Sequence, residues 1–149
     1  MALIVICVAA LCLALFVGGR IKRTRERREL EQHSIEPETL YELLTVNKKL
    51  RVFDVRQPLD LLAYSEMIPG ATRVPPKEVL ANPLLIPREE DAVVYCTCPD
   101  DKTSREILRQ ALGLNYSRMK ILRGGLVAWK AKGYTVEPYR ESFRLDTNV

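Results

Sequence analysis

Residues 91–104 read Asp91-Ala92-Val93-Val94-Tyr95-Cys96-Thr97-Cys98-Pro99-Asp100-Asp101-Lys102-Thr103-Ser104. The first part, Asp91 to Cys98, is a short apolar run suited to a buried strand. Ile107, Leu108, Ala111 and Leu112 then recur at helical spacing, so the stretch between is a strand-to-helix loop. Other segments repeat the alternation. Pro37 suits a first helical turn, followed by Leu40, Leu43 and Leu44 on one face. Leu50 to Val55 is a second short apolar run. Ile68-Pro69-Gly70-Ala71 is a turn leading into a short strand over Ala71 to Val74, which Pro75 and Pro76 end. Met119 to Leu122 is a fourth strand, closed by Gly124-Gly125, and Leu126 to Lys132 is a last short helix ended at Gly133. Strands alternating with helices predict an α/β domain, a small parallel sheet flanked by helices on both faces.

The 149 residues suffice for one ordinary domain. The formal charge of +4 is concentrated: residues 20–31 carry Arg20, Lys22, Arg23, Arg25, Arg27 and Arg28 against Glu26, Glu29 and Glu31. The remainder is nearly neutral, which argues against a nucleic-acid partner. The single histidine, His33, excludes a His-rich metal site, and glycine fingerprints for a nucleotide are absent, so neither metal nor organic cofactor is implied.

From Ala2 to Gly19 the chain has no charge, and ten of those residues are Leu, Ile, Val or Phe. Such a run spans about 27 Å as a helix, and its side chains favour insertion by about 3–6 kcal/mol. A cleaved signal peptide would want a basic residue before the run and a small-residue cleavage site after it; here arginines follow instead. The sequence therefore predicts one N-terminal transmembrane anchor over residues 1–19, a basic juxtamembrane linker over 20–33, a domain over 34–138 and a polar tail over 139–149. The basic flank predicts a single-pass protein whose soluble domain faces the cytoplasm. In that compartment Cys96 and Cys98 are expected as thiols.

In open α/β sheets, ligands bind beyond the carboxyl ends of strands, where a loop feeds a helix. A cysteine in the 96–104 loop would gain from backbone N–H groups and the positive end of the helix dipole, which favour thiolate. The competing reading is a buried small cysteine at a strand end.

Over residues 34–138 the sequence resembles the rhodanese-like domain family. Ser34 to Leu40 is similar to the family's opening helix, and Phe53-Asp54-Val55-Arg56 to its Asp-Val-Arg signature. Ile68-Pro69-Gly70-Ala71 matches its Ile-Pro-Gly-Ala turn; Leu122-Arg123-Gly124-Gly125-Leu126, Ala128-Trp129 and Gly133-Tyr134 resemble its closing motifs. The resemblance implies a sulfurtransferase whose loop cysteine carries a persulfide, with a sulfane-sulfur donor and a thiol or protein acceptor as partners. Family spacing to the helix and to Gly124 selects Cys98 as the nucleophile, whereas the family's strand ending, as in Tyr95-Cys96, selects Cys96. Cys98 is preferred, although Pro99 removes one N–H donor from its loop. The other cysteine would then lie close enough to resolve an oxidised or persulfidated partner. Asp100, Asp101, Lys102, Thr103 and Ser104 complete the expected substrate loop. Its two acids oppose thiolate formation and repel anionic donors, so thiosulfate is expected to be a poor donor. Asp54, Arg56 and Trp129 are expected to be structural. The alternative to an enzyme is a non-catalytic binding or redox-sensing module at the membrane. Phosphatase chemistry would want an arginine six residues after the nucleophile, and Ser104 stands there from Cys98.

Overall fold

The computed structural model describes residues 2–47 and 49–140, with the side chains of residues 2–6 and 9 left outside the description. The chain forms two units, residues 1–32 and 33–149. The first is one helix, α1 (Ala2–Gln32). It runs without a break through Gly18-Gly19 into the expected linker, because no proline interrupts it and the charged half is rich in good helix formers. Arg27 and Glu31 pair across one turn there at 3.1 Å. Among the described residues no helix is long and apolar enough to cross a membrane, so the expected transmembrane helix is not seen among them. Leu3, Ile4, Val5, Ile6 and Ala9 of the apolar run have side chains outside the description, and what remains of the run is too short for a span of about 20 residues.

The second unit alternates strands and helices. In chain order these are β1 (Ser34–Ile35), α2 (Pro37–Val46), β2 (Arg51–Asp54), α3 (Pro58–Ala63), β3 (Glu66–Met67), β4 (Thr72–Arg73), α4 (Pro76–Ala81), β5 (Ala92–Tyr95), α5 (Lys102–Gly113), β6 (Met119–Leu122), α6 (Gly125–Ala131) and β7 (Glu137–Pro138). Short 3-10 turns occupy Pro83–Leu85 and Pro99–Asp101. The main sheet is parallel in the order β1-β6-β5-β2-β4, and β3 pairs with β7 in a small antiparallel ribbon. Prolines at the first position start α2, α3 and α4, where a missing N–H costs nothing. The expected tail begins inside the domain, since the Tyr139 N–H donates to the Ser65 carbonyl at 2.7 Å. Residues 141–149 of that tail lie outside the described residues.

All four residues of β5 are buried, as a central parallel strand requires. Register sets Asp54 beside Tyr95 and Val94 beside Ile121, so the strand ends line up along one edge. Val52, Val93, Tyr95, Leu122 and Leu126 share a core with Ile35, Leu40 and Trp129. Trp129 is an anchor of this core. Its ring lies 4.9 Å from that of Tyr134, which stacks on Tyr41 at 4.4 Å, and its Nε1 donates to the Thr135 carbonyl at 2.9 Å.

Beneath the carboxyl edge sits a charged pair with no solvent exposure, Asp54 and Arg56. Arg56 Nε donates to both Asp54 carboxylate oxygens at 2.9 Å, and its terminal nitrogens donate to the Tyr64 and Glu66 carbonyls at 2.7 and 2.9 Å. The Tyr95 hydroxyl donates to Asp54 at 3.1 Å and accepts from the Ile68 N–H. Burial works against the Arg56 charge, but the bonds to Asp54 outweigh it and raise its pKa. Burial also drives the Tyr95 hydroxyl up, with the Asp54 charge adding to the effect. Both groups therefore keep their protons at every relevant pH.

Breaking a buried pair leaves one charge without compensation, which costs about 3–5 kcal/mol. Arg56→Met should lower the unfolding free energy by that amount in urea titration, and Tyr95→Phe by about 1 kcal/mol.

Candidate active site

The loop after β5 begins with Cys96, which is 1% exposed. Its carbonyl accepts the Leu126 N–H at 3.2 Å, tying the loop to the start of α6. The approach is so close that a Cβ on Gly125, whose φ is +53°, would lie 1.9 Å from the Cys96 oxygen. Gly124-Gly125 is thus a passage beside the cysteine carbonyl as well as a strand terminator.

Cys98 follows in extended backbone and is half-buried. Asp100 and Asp101 then both adopt left-handed conformations, at φ +54° each. Such residues persist only when held by their surroundings. Here the Asp101 N–H donates to the Cys98 carbonyl at 3.2 Å, while the Asp101 carboxylate accepts the Gly124 N–H at 2.9 Å. Burial raises the Asp101 pKa, against the Gly124 N–H and the nearby Arg105 and Arg123 charges, which lower it.

The reversal at Asp100-Asp101 aims the first turn of α5 at Cys98. Its sulfur accepts the Thr103 N–H at 3.2 Å and lies 3.4 Å from the Thr103 hydroxyl oxygen. The Cys96 sulfur also approaches it, to 2.8 Å. Burial pushes the Cys96 thiol up to about 11, and its contact with Cys98 adds to this; the Ser104 hydroxyl and N–H pull the other way. The Ser104 hydroxyl is itself buried.

A cavity of about 390 Å³ opens over this loop, lined by Cys98, Pro99, Asp100, Lys102, Arg105 and Arg109. The expected site residues therefore separate. Cys98, Asp100 and Lys102 face the cavity. Thr103 holds the Cys98 sulfur from the helix. Cys96 and Ser104 are buried and do not line the cavity, and the Asp101 carboxylate is turned away to Gly124. Arg105 and Arg109, which also line the cavity, lie beyond the expected substrate loop that ends at Ser104. They stand one helical turn apart, a spacing that places two side chains on one face. Arg105 Nε is buried without a hydrogen-bond partner, while the side chain reaches the cavity wall.

Two measurements follow from this geometry. Iodoacetamide should modify Cys98 first at neutral pH, and the rate at Cys96 should climb about tenfold per pH unit until its titration near 11, read by peptide mass spectrometry. Gly125→Ala meets both the positive φ and the Cys96 carbonyl, so it should destabilise the domain by about 3 kcal/mol or more in denaturant titration.

The geometry agrees with what the chain is similar to. A curated sulfurtransferase of Allochromatium vinosum is 27% identical over 104 residues, covering 70% of this chain and 94% of that protein. The crystal structure of a rhodanese-related protein from Thermoplasma volcanium aligns with a TM-score of 0.58 at 25% identity, over 70% of this chain and 96% of that one. Two others share the fold. A protein from Lactobacillus plantarum matches with a TM-score of 0.65 at 20% identity, over 78% and 97% of the two chains. A Rhodopseudomonas palustris protein described as a possible tyrosine phosphatase matches at 0.62 and 16%, over 76% and 89%. The family model for the rhodanese-like domain matches residues 36–132, which take in every element from α2 to α6. The chain belongs to the rhodanese-like domain family.

Proposed function

We propose that this protein is a sulfurtransferase in which Cys98 takes up sulfane sulfur as a persulfide and delivers it to a thiol or protein acceptor. The observation that carries this reading is the position of the Cys98 sulfur, which accepts the Thr103 N–H at 3.2 Å and faces the cavity while Cys96 is buried beside it. The sulfurtransferase from Allochromatium vinosum supports the same class of reaction.

In the first half-reaction the Cys98 thiolate attacks the outer sulfur of the donor. A sulfur–sulfur bond forms at Cys98, the donor's own sulfur–sulfur bond breaks, and the leaving group departs with the electron pair. The leaving group is sulfite from thiosulfate and a thiolate from a low-molecular-weight persulfide. In the second, an acceptor thiolate attacks the outer sulfur and Cys98 leaves as thiolate. The Thr103 N–H and the first turn of the 12-residue helix α5 favour negative charge on sulfur at both stages. Lys102, Arg105 and Arg109 draw an anionic donor into the cavity. The roles are thus nucleophile for Cys98, sulfur positioning for Thr103 and donor attraction for the three cations.

Membrane attachment through residues 2–19, with the domain on the cytoplasmic side, belongs to this proposal and is supported by composition alone: the uncharged run and the arginines that follow it.

Full-length protein treated with thiosulfate, and separately with glutathione persulfide, should gain one sulfur atom on the peptide containing Cys98. Cyanide should remove it as thiocyanate, and Cys98→Ser should abolish the gain. Absence of any adduct from both donors would instead favour a binding module. Arg105→Ala should raise the KM for thiosulfate several-fold, about 1 kcal/mol of lost attraction, with a smaller effect on kcat.

A further inference from the structure

The transfer just described leaves Cys96 without a task, although its sulfur lies 2.8 Å from that of Cys98. We propose that Cys96 is a resolving nucleophile that attacks the inner sulfur of the Cys98 persulfide, forms a Cys96–Cys98 disulfide and releases the outer sulfur as hydrosulfide. This inference rests on the sulfurtransferase reading above and extends it to a second, internal fate for the bound sulfur.

The step balances without an outside oxidant or reductant. The bond formed joins the two cysteine sulfurs, and the bond broken is the persulfide bond, whose electron pair leaves with the outer sulfur. That sulfane sulfur is reduced to sulfide as the two cysteine sulfurs are oxidised to a disulfide. The Cys96 proton goes to solvent or to the departing hydrosulfide. A dithiol reductant, the chemical class that reopens protein disulfides, returns the pair to thiols.

Three features of the site favour this attack. The two sulfurs of the short Cys96-Thr97-Cys98 segment already lie 2.8 Å apart, against about 2.0 Å in a disulfide. Cys98 lines the cavity and Cys96 does not, so the outer sulfur of a persulfide can extend into open space. An acceptor entering through the cavity meets that outer sulfur, whereas Cys96 meets the inner one from the buried side. The two fates thus use different sulfurs and do not compete for space.

Timing separates them as well. With its thiol pushed up to about 11, Cys96 is thiolate in only about one molecule in ten thousand at about pH 7. An acceptor has first claim on the persulfide, and hydrosulfide is released when none arrives. The internal step accelerates about tenfold per pH unit over the neutral and alkaline range, because the attacking species is the thiolate.

The test loads the full-length protein in detergent with glutathione persulfide, removes all small thiols, and follows three quantities with time. These are sulfide in solution, cyanide-labile sulfur on the protein, and the mass of the peptide holding both cysteines. Wild-type protein should release one sulfide for each persulfide lost, as that peptide loses its added sulfur and two hydrogens. Cys96→Ser should hold its persulfide, with sulfide release slowed by at least about tenfold. Wild-type stoichiometry decides the matter alone should the variant fail to fold. A wild-type persulfide that persists on Cys98 with no disulfide would overturn the inference and leave the sulfurtransferase reading intact. Failure to load Cys98 at all would overturn that reading, and the inference with it.

Discussion

The carboxyl edge of the sheet depends on one buried ion pair. Asp54 and Arg56 have no solvent exposure, and removing two such charges from water costs several kcal/mol per ion unless every bond is replaced. The domain replaces them within a few residues of β2. Arg56 holds both Asp54 oxygens and the carbonyls of Tyr64 and Glu66, and Tyr95 supplies a hydroxyl to Asp54 from the neighbouring strand. The pair therefore fixes the segment between α3 and β3 to the end of β2, and the end of β2 to the end of β5. Tyr95 is the last residue of β5 and Cys96 is next. A displacement of the ion pair would be passed to the cysteine loop through a single peptide bond.

The loop is then over-determined from the opposite side. The Cys96 carbonyl is held by the Leu126 N–H, and Gly125 passes too close for any side chain. Asp101 binds the Gly124 N–H and so stabilises the paired left-handed residues that turn α5 toward Cys98. The two ends of the loop are thus fastened to the same Gly-Gly turn, one through a backbone carbonyl and one through a carboxylate. This arrangement keeps the Cys98 sulfur at the Thr103 N–H without using a donor from residue 99, where proline has none.

What the sequence disclosed follows burial and local chemistry. β6 occupies Met119–Leu122 as its apolar run predicts, and β2 and β5 fall inside their apolar runs because central parallel strands are buried on both faces. Short elements were less legible. β1, β3 and β7 have two residues each, too few for any period, and they exist through pairing with distant segments. α3 and α4 are six-residue helices, too short for a helical period to show in the sequence. At the candidate site the loop residues could be located but the direction of each side chain could not. Asp101 reads as a charge beside the nucleophile, yet its carboxylate is bonded to Gly124. Arg105 and Arg109 lie beyond the expected substrate loop, and their one-turn spacing, counted from that loop, was the available signal.

That last difference alters the electrostatics of the cavity. An acidic loop argues against anionic donors only if its acids face the donor. Asp101 does not, which leaves Asp100 against Lys102, Arg105 and Arg109 on the cavity wall. A sulfane-sulfur anion approaching Cys98 therefore meets an excess of positive charge, and the unpartnered Arg105 Nε marks the cation with unused hydrogen-bonding capacity. In the proposed transfer the same cations would also meet an anionic leaving group such as sulfite, while the Thr103 N–H already donates to the Cys98 sulfur at 3.2 Å. Charge that arrives or departs thus meets the cavity cations, whereas charge that remains on the Cys98 sulfur meets the first turn of α5.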